Sequence, residues 1–138
     1  MDNRAMLSSA IVTLVAVVLY YFVMGARVGN MRAAMNIKPP ATTGHPVFER
    51  AFRVHANTGE QLIAFLPALW IATWLFHGPF WLPAAFGAAF LVGRVVYMRA
   101  YMADPDRRIA GAFLTMLPIL ALVILGIVGV VQNWSSVF

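Results

Sequence analysis

Three long uncharged blocks organise this chain: Ala5 to Ala26, Gln61 to Gly93, and Ile109 to Phe138. A helix needs about 20 apolar residues to cross a hydrocarbon layer of ~30 Å. The middle block exceeds that length and is broken at His77-Gly78-Pro79, so it reads as two crossings joined by a tight turn. The pattern predicts four transmembrane helices over roughly 5–28, 47–76, 80–103 and 106–132. They form a single membrane domain, 1–138, with polar connections at roughly 29–46 and 104–106. The expected fold is an all-α integral membrane protein, a four-helix bundle. The first block is too long for the apolar region of a signal peptide and no clear cleavage site follows it, so it is read as a true span.

Punctuation in the connections supports the division. Pro39-Pro40, Thr42-Thr43-Gly44 and Pro46 make an extended loop before a helix beginning near Val47. Pro67 falls inside the second helix, Pro79 and Pro83 frame the start of the third, and Asp104-Pro105-Asp106 opens the fourth. Composition agrees: 62% hydrophobic, 11% charged and a mean hydropathy of +0.79 do not describe an ordinary soluble domain. The chain has no cysteine, which excludes disulfides, thiolate metal sites and a cysteine nucleophile of its own. His45 and His77 have no partners at metal spacing, and no metal site is expected.

The net charge of +5 reflects membrane orientation rather than nucleic-acid binding. Arg27, Arg32, Lys38, Arg50 and Arg53 cluster around the first connection, and Arg94, Arg99, Arg107 and Arg108 around the last; only Arg4 lies at the other side. The positive-inside rule makes both basic connections cytoplasmic and turns both termini away from the cytoplasm.

Within this frame Arg50, Arg53, Asn57 and Glu60 share one face of the second helix, an arc of roughly 80° at 3.6 residues per turn. Such groups are costly beside hydrocarbon unless they meet a partner or a ligand. A small zwitterion with two carboxylates and an amine suits the stripe; a structural clasp of Glu60 onto a neighbouring helix is the plainer alternative. Arg94, Tyr97 and Tyr101 share a face near the end of the third helix, at the same membrane depth. Taken alone, the tyrosines could belong to an interfacial aromatic belt, while Arg27, Lys38 and Arg99 suit lipid head groups. His55 lies off the stripe, either a hydrogen-bonded packing residue or a further ligand contact.

The run P-P-x-T-T-G-x-P-x-F-E-R-x-x-R-x-x-x-N-x-x-E, Pro39 to Glu60, resembles the signature region of the MAPEG family, the membrane-associated proteins in eicosanoid and glutathione metabolism. The likeness extends to R-x-x-Y-x-x-x-Y, Arg94 to Tyr101, and to the arginine heading the fourth helix. It is greatest toward the branch of leukotriene C4 synthase and microsomal glutathione transferase 2. The resemblance implies a homotrimer that binds glutathione between subunits near the cytoplasmic side. It implies that Arg53, His55, Asn57, Glu60, Arg94, Tyr97 and Tyr101 hold glutathione, joined by Arg32 from a neighbouring subunit. Arg108 would activate the thiol.

The residue types suit those roles. Arg53 can grip a carboxylate with two parallel bonds, and Glu60 can pair with an amine. An arginine favours a thiolate by proximity; at ~4 Å and an effective dielectric of about 20 the attraction is about 4 kcal/mol. The thiolate would attack a lipophilic electrophile or lipid hydroperoxide arriving through the membrane lipid. Departures from the family pattern are His55 for a glutamine, Gln61 for a tyrosine, and Ala33 for a second arginine after Arg32. They turn the expectation from leukotriene synthesis toward a general glutathione transferase or glutathione-dependent peroxidase, and the compact chain is read as that of a bacterial inner-membrane protein. A non-catalytic lipid-presenting member is the alternative. A small multidrug exporter would carry an acid in its first helix, and Ala5–Ala26 has none.

Overall fold

The computed structural model describes residues 2–134, with Arg108 described in its backbone only. Four helices carry the chain: α1 (Asn3–Ala34), α2 (Pro46–Leu75), α3 (Leu82–Ala103) and α4 (Arg108–Trp134). A 3-10 turn at Pro105–Arg107 precedes α4, and no strand occurs among the described residues.

Local chemistry explains where these helices start and stop. The Asp2 carboxylate accepts from the Arg4 N–H at 2.8 Å and caps α1. That helix runs past residue 28, where the sequence pattern ends it, because neither Gly29 nor Asn30 prevents helical backbone. It stops at Asn36, whose φ of 53° is left-handed. There Asn36 N–H donates to Ala33 O at 3.2 Å and Ile37 N–H to Arg32 O at 3.0 Å, the paired bonds of a Schellman end. At the start of α2, His45 Nδ1 accepts from Val47 N–H at 3.2 Å and Glu49 reaches back to accept from Gly44 N–H at 2.9 Å. Between α3 and α4, Asp104 accepts from Asp106 N–H at 3.0 Å and pairs with Arg107 at 3.6 Å.

Neighbouring helices run antiparallel. Ser9 near the start of α1 meets Thr73 near the end of α2, their hydroxyls 2.7 Å apart and buried. Arg50 near the start of α2 donates to Met102 O at 3.2 Å, at the end of α3. At the opposite end, Gln132 of α4 accepts from His77 N–H at 2.8 Å and so braces the α2–α3 connection. The basic connections at 35–45 and 104–107 therefore share one end of the bundle.

The core centres on Phe65 and Phe90, stacked at 3.9 Å and fully buried, with Val12, Leu69, Ala72 and Leu122 around them. Backbones of α3 and α4 touch where side chains are missing. A Cβ on Gly93 would lie 2.7 Å from Leu114 O, and one on Gly111 would lie 2.6 Å from Tyr97 Cα. Small residues are how membrane helices approach this closely. The outer surface is apolar: Leu7, Leu14, Ile63, Phe113 and Val131 are all exposed. Asn3–Ala34, Leu82–Ala103 and Pro105–Trp134 are long and apolar enough to cross a membrane. The second helix falls short by composition, because its first half carries the polar stripe. Its contacts with Ser9, Met102 and the last turns of α4 nevertheless carry it along the whole bundle. Hydrocarbon outside and polar groups turned toward one another inside is the arrangement a bilayer imposes.

Candidate functional site

Four of the sequence-predicted residues converge between α2, α3 and α4. Asn57 Nδ2 donates to the Tyr97 hydroxyl at 2.7 Å, which leaves the phenol's own proton available to a ligand. Arg94 Nη2 donates to Thr58 Oγ1 at 2.6 Å, and Thr58 in turn donates to Val54 O at 2.7 Å. The Arg94 guanidinium carbon sits 4.2 Å from the Tyr97 ring centroid, a cation–π contact. Tyr101 follows one turn later, its ring 5.6 Å from that of Tyr97, in a buried cluster with Met24 and Val54.

A cleft of about 120 Å³ opens here, lined by Asn57, Glu60, Gln61, Arg94, Tyr97, Ala112, Thr115 and Met116. Beside it lies an apolar groove of about 350 Å³ that shares Asn57, Tyr97, Ala112 and Met116 and adds Ile109 and Phe113. Polar cleft and apolar groove are thus contiguous. The cleft is well below the roughly 300–1,000 Å³ of ordinary ligand pockets.

Arg53 and Glu60 stand exposed on the same face of α2, and neither has a hydrogen-bond or ion-pair partner among the described residues. Arg50, the fourth member of the stripe, is used internally: its donation to Met102 O and Ala103 O satisfies carbonyls at the end of α3. Other candidates lie apart. His55 is about 160° around α2 from Asn57. It stacks on Tyr20 at 4.4 Å and lines a separate cavity of about 490 Å³ with Gly25 and Ala26. Arg32 lies at the end of α1, donating to Ala41 O at 2.8 Å and lying 4.8 Å over the Phe48 ring. Arg108 opens α4, and its side chain lies outside the described residues. Among the described residues no three His, Asp or Glu side chains gather as a metal site would require.

Three contributors gave no signal in the sequence. Thr58 anchors Arg94, yet a threonine one residue from the stripe looks like any helix-interior threonine. Thr115 lines the cleft from α4, inside an uncharged run. Tyr20 packs on Gly59 because the Val18–Gly25 segment of α1 is π-helical, which widens the turn and re-aims its side chains.

Comparison with known proteins matches this sequence to a family. Residues 10–128 match the MAPEG family. The chain is 39% identical over 124 residues to an uncharacterised protein of Synechocystis, covering 90% of this chain and 88% of that one. It is 32% identical over 134 residues to human microsomal glutathione S-transferase 2, covering 97% and 88% of the two chains. It is 34% identical over 133 residues to bovine leukotriene C4 synthase, covering 96% and 85%. With a four-helix membrane bundle and a family match over most of its length, this chain belongs to the MAPEG family.

Proposed function

We propose that the chain is a membrane glutathione transferase that joins the glutathione sulfur to lipophilic electrophiles. The observation that carries the reading is the contact between the polar cleft, where Asn57, Arg94 and Tyr97 converge, and the apolar groove beside it. A water-soluble thiol peptide suits the first and a membrane-dissolved electrophile the second. Glu60 on the cleft lining and Arg53 two turns before it on the same face, both without a partner among the described residues, are the amine and carboxylate contacts of the peptide. Arg108 is the cation assigned to lower the thiol pKa from about 8.5. The thiolate then attacks the electrophilic carbon, a C–S bond forms, and the leaving group departs with its electron pair. With a lipid hydroperoxide the same thiolate would attack the terminal oxygen, the O–O bond would break and release the lipid alcohol after protonation, and a second glutathione would convert the sulfenic acid to disulfide and water, giving peroxidase activity.

His55 and Arg32 fit this reading through a second copy of the chain. They lie away from the Asn57–Tyr97 cleft, which is too small alone, so a homotrimer with glutathione between subunits accounts for both facts. The basic end of the bundle, with the cleft, faces the cytoplasm by the positive-inside rule, in a bacterial inner membrane.

The test is to purify the chain in detergent and measure glutathione binding together with conjugation of 1-chloro-2,4-dinitrobenzene. Saturable binding and product formation are expected, with Arg108→Ala losing most of the rate while binding persists. Absence of both binding and product overturns the proposal. Binding of glutathione without turnover of any electrophile or hydroperoxide would favour a lipid-presenting protein, for which the groove would be the lipid's berth.

A further inference from the structure

Arg94 is 2% exposed, and its Nε is the buried side-chain polar atom left without a partner among the described residues. One of its terminal nitrogens is taken by Thr58, a neutral acceptor, and its carbon lies over a neutral ring. The salt bridge among the described residues is Asp104–Arg107, so no described carboxylate neutralises Arg94. Burying a cation without a counter-charge is strongly unfavourable. A helical arginine four residues deeper than Met98 would ordinarily extend toward the head groups; this one is turned inward and pinned by Thr58. Since Arg94 lines the cleft, the missing negative charge is one the ligand brings.

The ligand's anions are not equivalent. The carboxylates and the amine of the tripeptide lie at its ends, and the exposed Arg53 and Glu60, on one face of α2, offer them partners. The thiol is on the central residue and is the group able to reach the narrow floor, where Ala112 and Met116 supply apolar walls. A thiolate is large and weakly hydrated, so it loses less on leaving water than a carboxylate would. We infer that Arg94 is the buried cation that holds the thiolate sulfur of the bound tripeptide, so that thiol activation rests on Arg94 as well as on the arginine that opens α4. The inference rests on the glutathione reading above. On ionisation the thiol proton passes to solvent and the sulfur keeps the electron pair. Among the described residues, the titratable and charged groups that line the floor are Glu60 from α2 and Arg94 and Tyr97 from α3. The lining residues that α4 adds among those described, Ala112, Thr115 and Met116, do not titrate, and the charged group that α4 brings in the reading above is Arg108 at its start.

The experiment follows ultraviolet thiolate absorbance of glutathione bound to the purified protein as a function of pH. Wild type, Arg94→Gln, Arg94→Lys and Thr58→Val are compared, and S-methylglutathione affinity is measured for each. Arg94→Gln should raise the bound thiol's pKa by about one unit, a tenfold loss of thiolate below it. Affinity for S-methylglutathione, which has no ionisable sulfur, should change less than threefold. Arg94→Lys should recover at least half of the shift, which a merely structural loss would not allow. Thr58→Val keeps the charge and frees its anchor, so it should move the pKa in the same direction by a smaller amount and serves alone if Arg94→Gln does not fold. A thiol pKa unchanged in Arg94→Gln, or in Thr58→Val where that variant stands alone, overturns the inference while leaving the transferase reading intact. Absence of glutathione binding to wild type overturns both.

Discussion

Replacing Gly111 with alanine tests whether the α3–α4 contact sets the site's geometry. The new Cβ would sit 2.6 Å from Tyr97 Cα, 2.9 Å from its Cβ and 3.0 Å from its nitrogen, and ordinary contact begins at 3.4 Å. Two of these three atoms are backbone, so no side-chain rotation relieves the clash. The helices must part by roughly 3.4 − 2.6 = 0.8 Å. Overpacking of this kind costs about 1–3 kcal/mol, against a helix-propensity gain of about 0.8–1 kcal/mol for Gly→Ala. The expected net loss is about 0–2 kcal/mol. If Tyr97 moves with α3 by that amount, its 2.7 Å bond to Asn57 stretches to about 3.5 Å, the edge of hydrogen bonding. The control is Gly29→Ala in α1, where an added Cβ meets nothing within 4 Å. There the propensity term acts alone, and stability should rise by about 0.5–1 kcal/mol. Unfolding midpoints in one detergent, titrated with dodecyl sulfate, should move in opposite directions for the two variants. Gly111→Ala should also weaken glutathione binding. A Gly111→Ala midpoint raised as far as that of Gly29→Ala would refute the reasoning, because it would mean that the α3–α4 contact yields freely.

Phe90→Ala removes one ring of the buried 3.9 Å stack with Phe65 and should cost about 3–5 kcal/mol, read as a large fall in thermal midpoint. Arg50→Met should cost only about 0.3–1 kcal/mol, since its bonds to Met102 O and Ala103 O are partly exposed. Limited proteolysis at Asp104–Asp106 should quicken; an unaltered digestion rate would show that these bonds do not hold the turn. Glu60→Gln should weaken glutathione affinity about tenfold by calorimetry with no change in midpoint. A fallen midpoint with intact affinity would instead make Glu60 a structural clasp.

Much of this molecule is visible along the chain because the bilayer enforces a simple rule. Uncharged runs of sufficient length must become helices that satisfy their own backbone, so their number and order follow from hydropathy alone. The stripe of Arg53, Asn57 and Glu60 was legible for the same reason: charge on one helical face stands out against hydrocarbon. The end of α1 was less so, since Asn36 stops it through a left-handed φ that composition does not announce. The π-helical turn at Val18–Gly25, which brings Tyr20 onto Gly59 and His55 across the helix gap, also left no mark in the apolar pattern.

The site shows the same division. Helical periodicity put Arg94 on a face with Tyr97, and an arginine near a helix end ordinarily reads as reaching for head groups. Only packing buries it: the missing side chains of Gly93 and Gly111 let α4 close over α3, and Thr58 of α2 supplies the acceptor. Periodicity likewise placed Arg50 beside Arg53, while the tertiary contact gave Arg50 to the carbonyls of α3 and left Arg53 exposed, without a partner among the described residues. Thus the chain by itself determined its membrane class, its helices and the polar residue types that share a helical face, because these depend on transfer from water to lipid and on local geometry. Which of those residues are buried, paired or left open was decided by how helices distant in sequence approach one another, and no single helix carries that information.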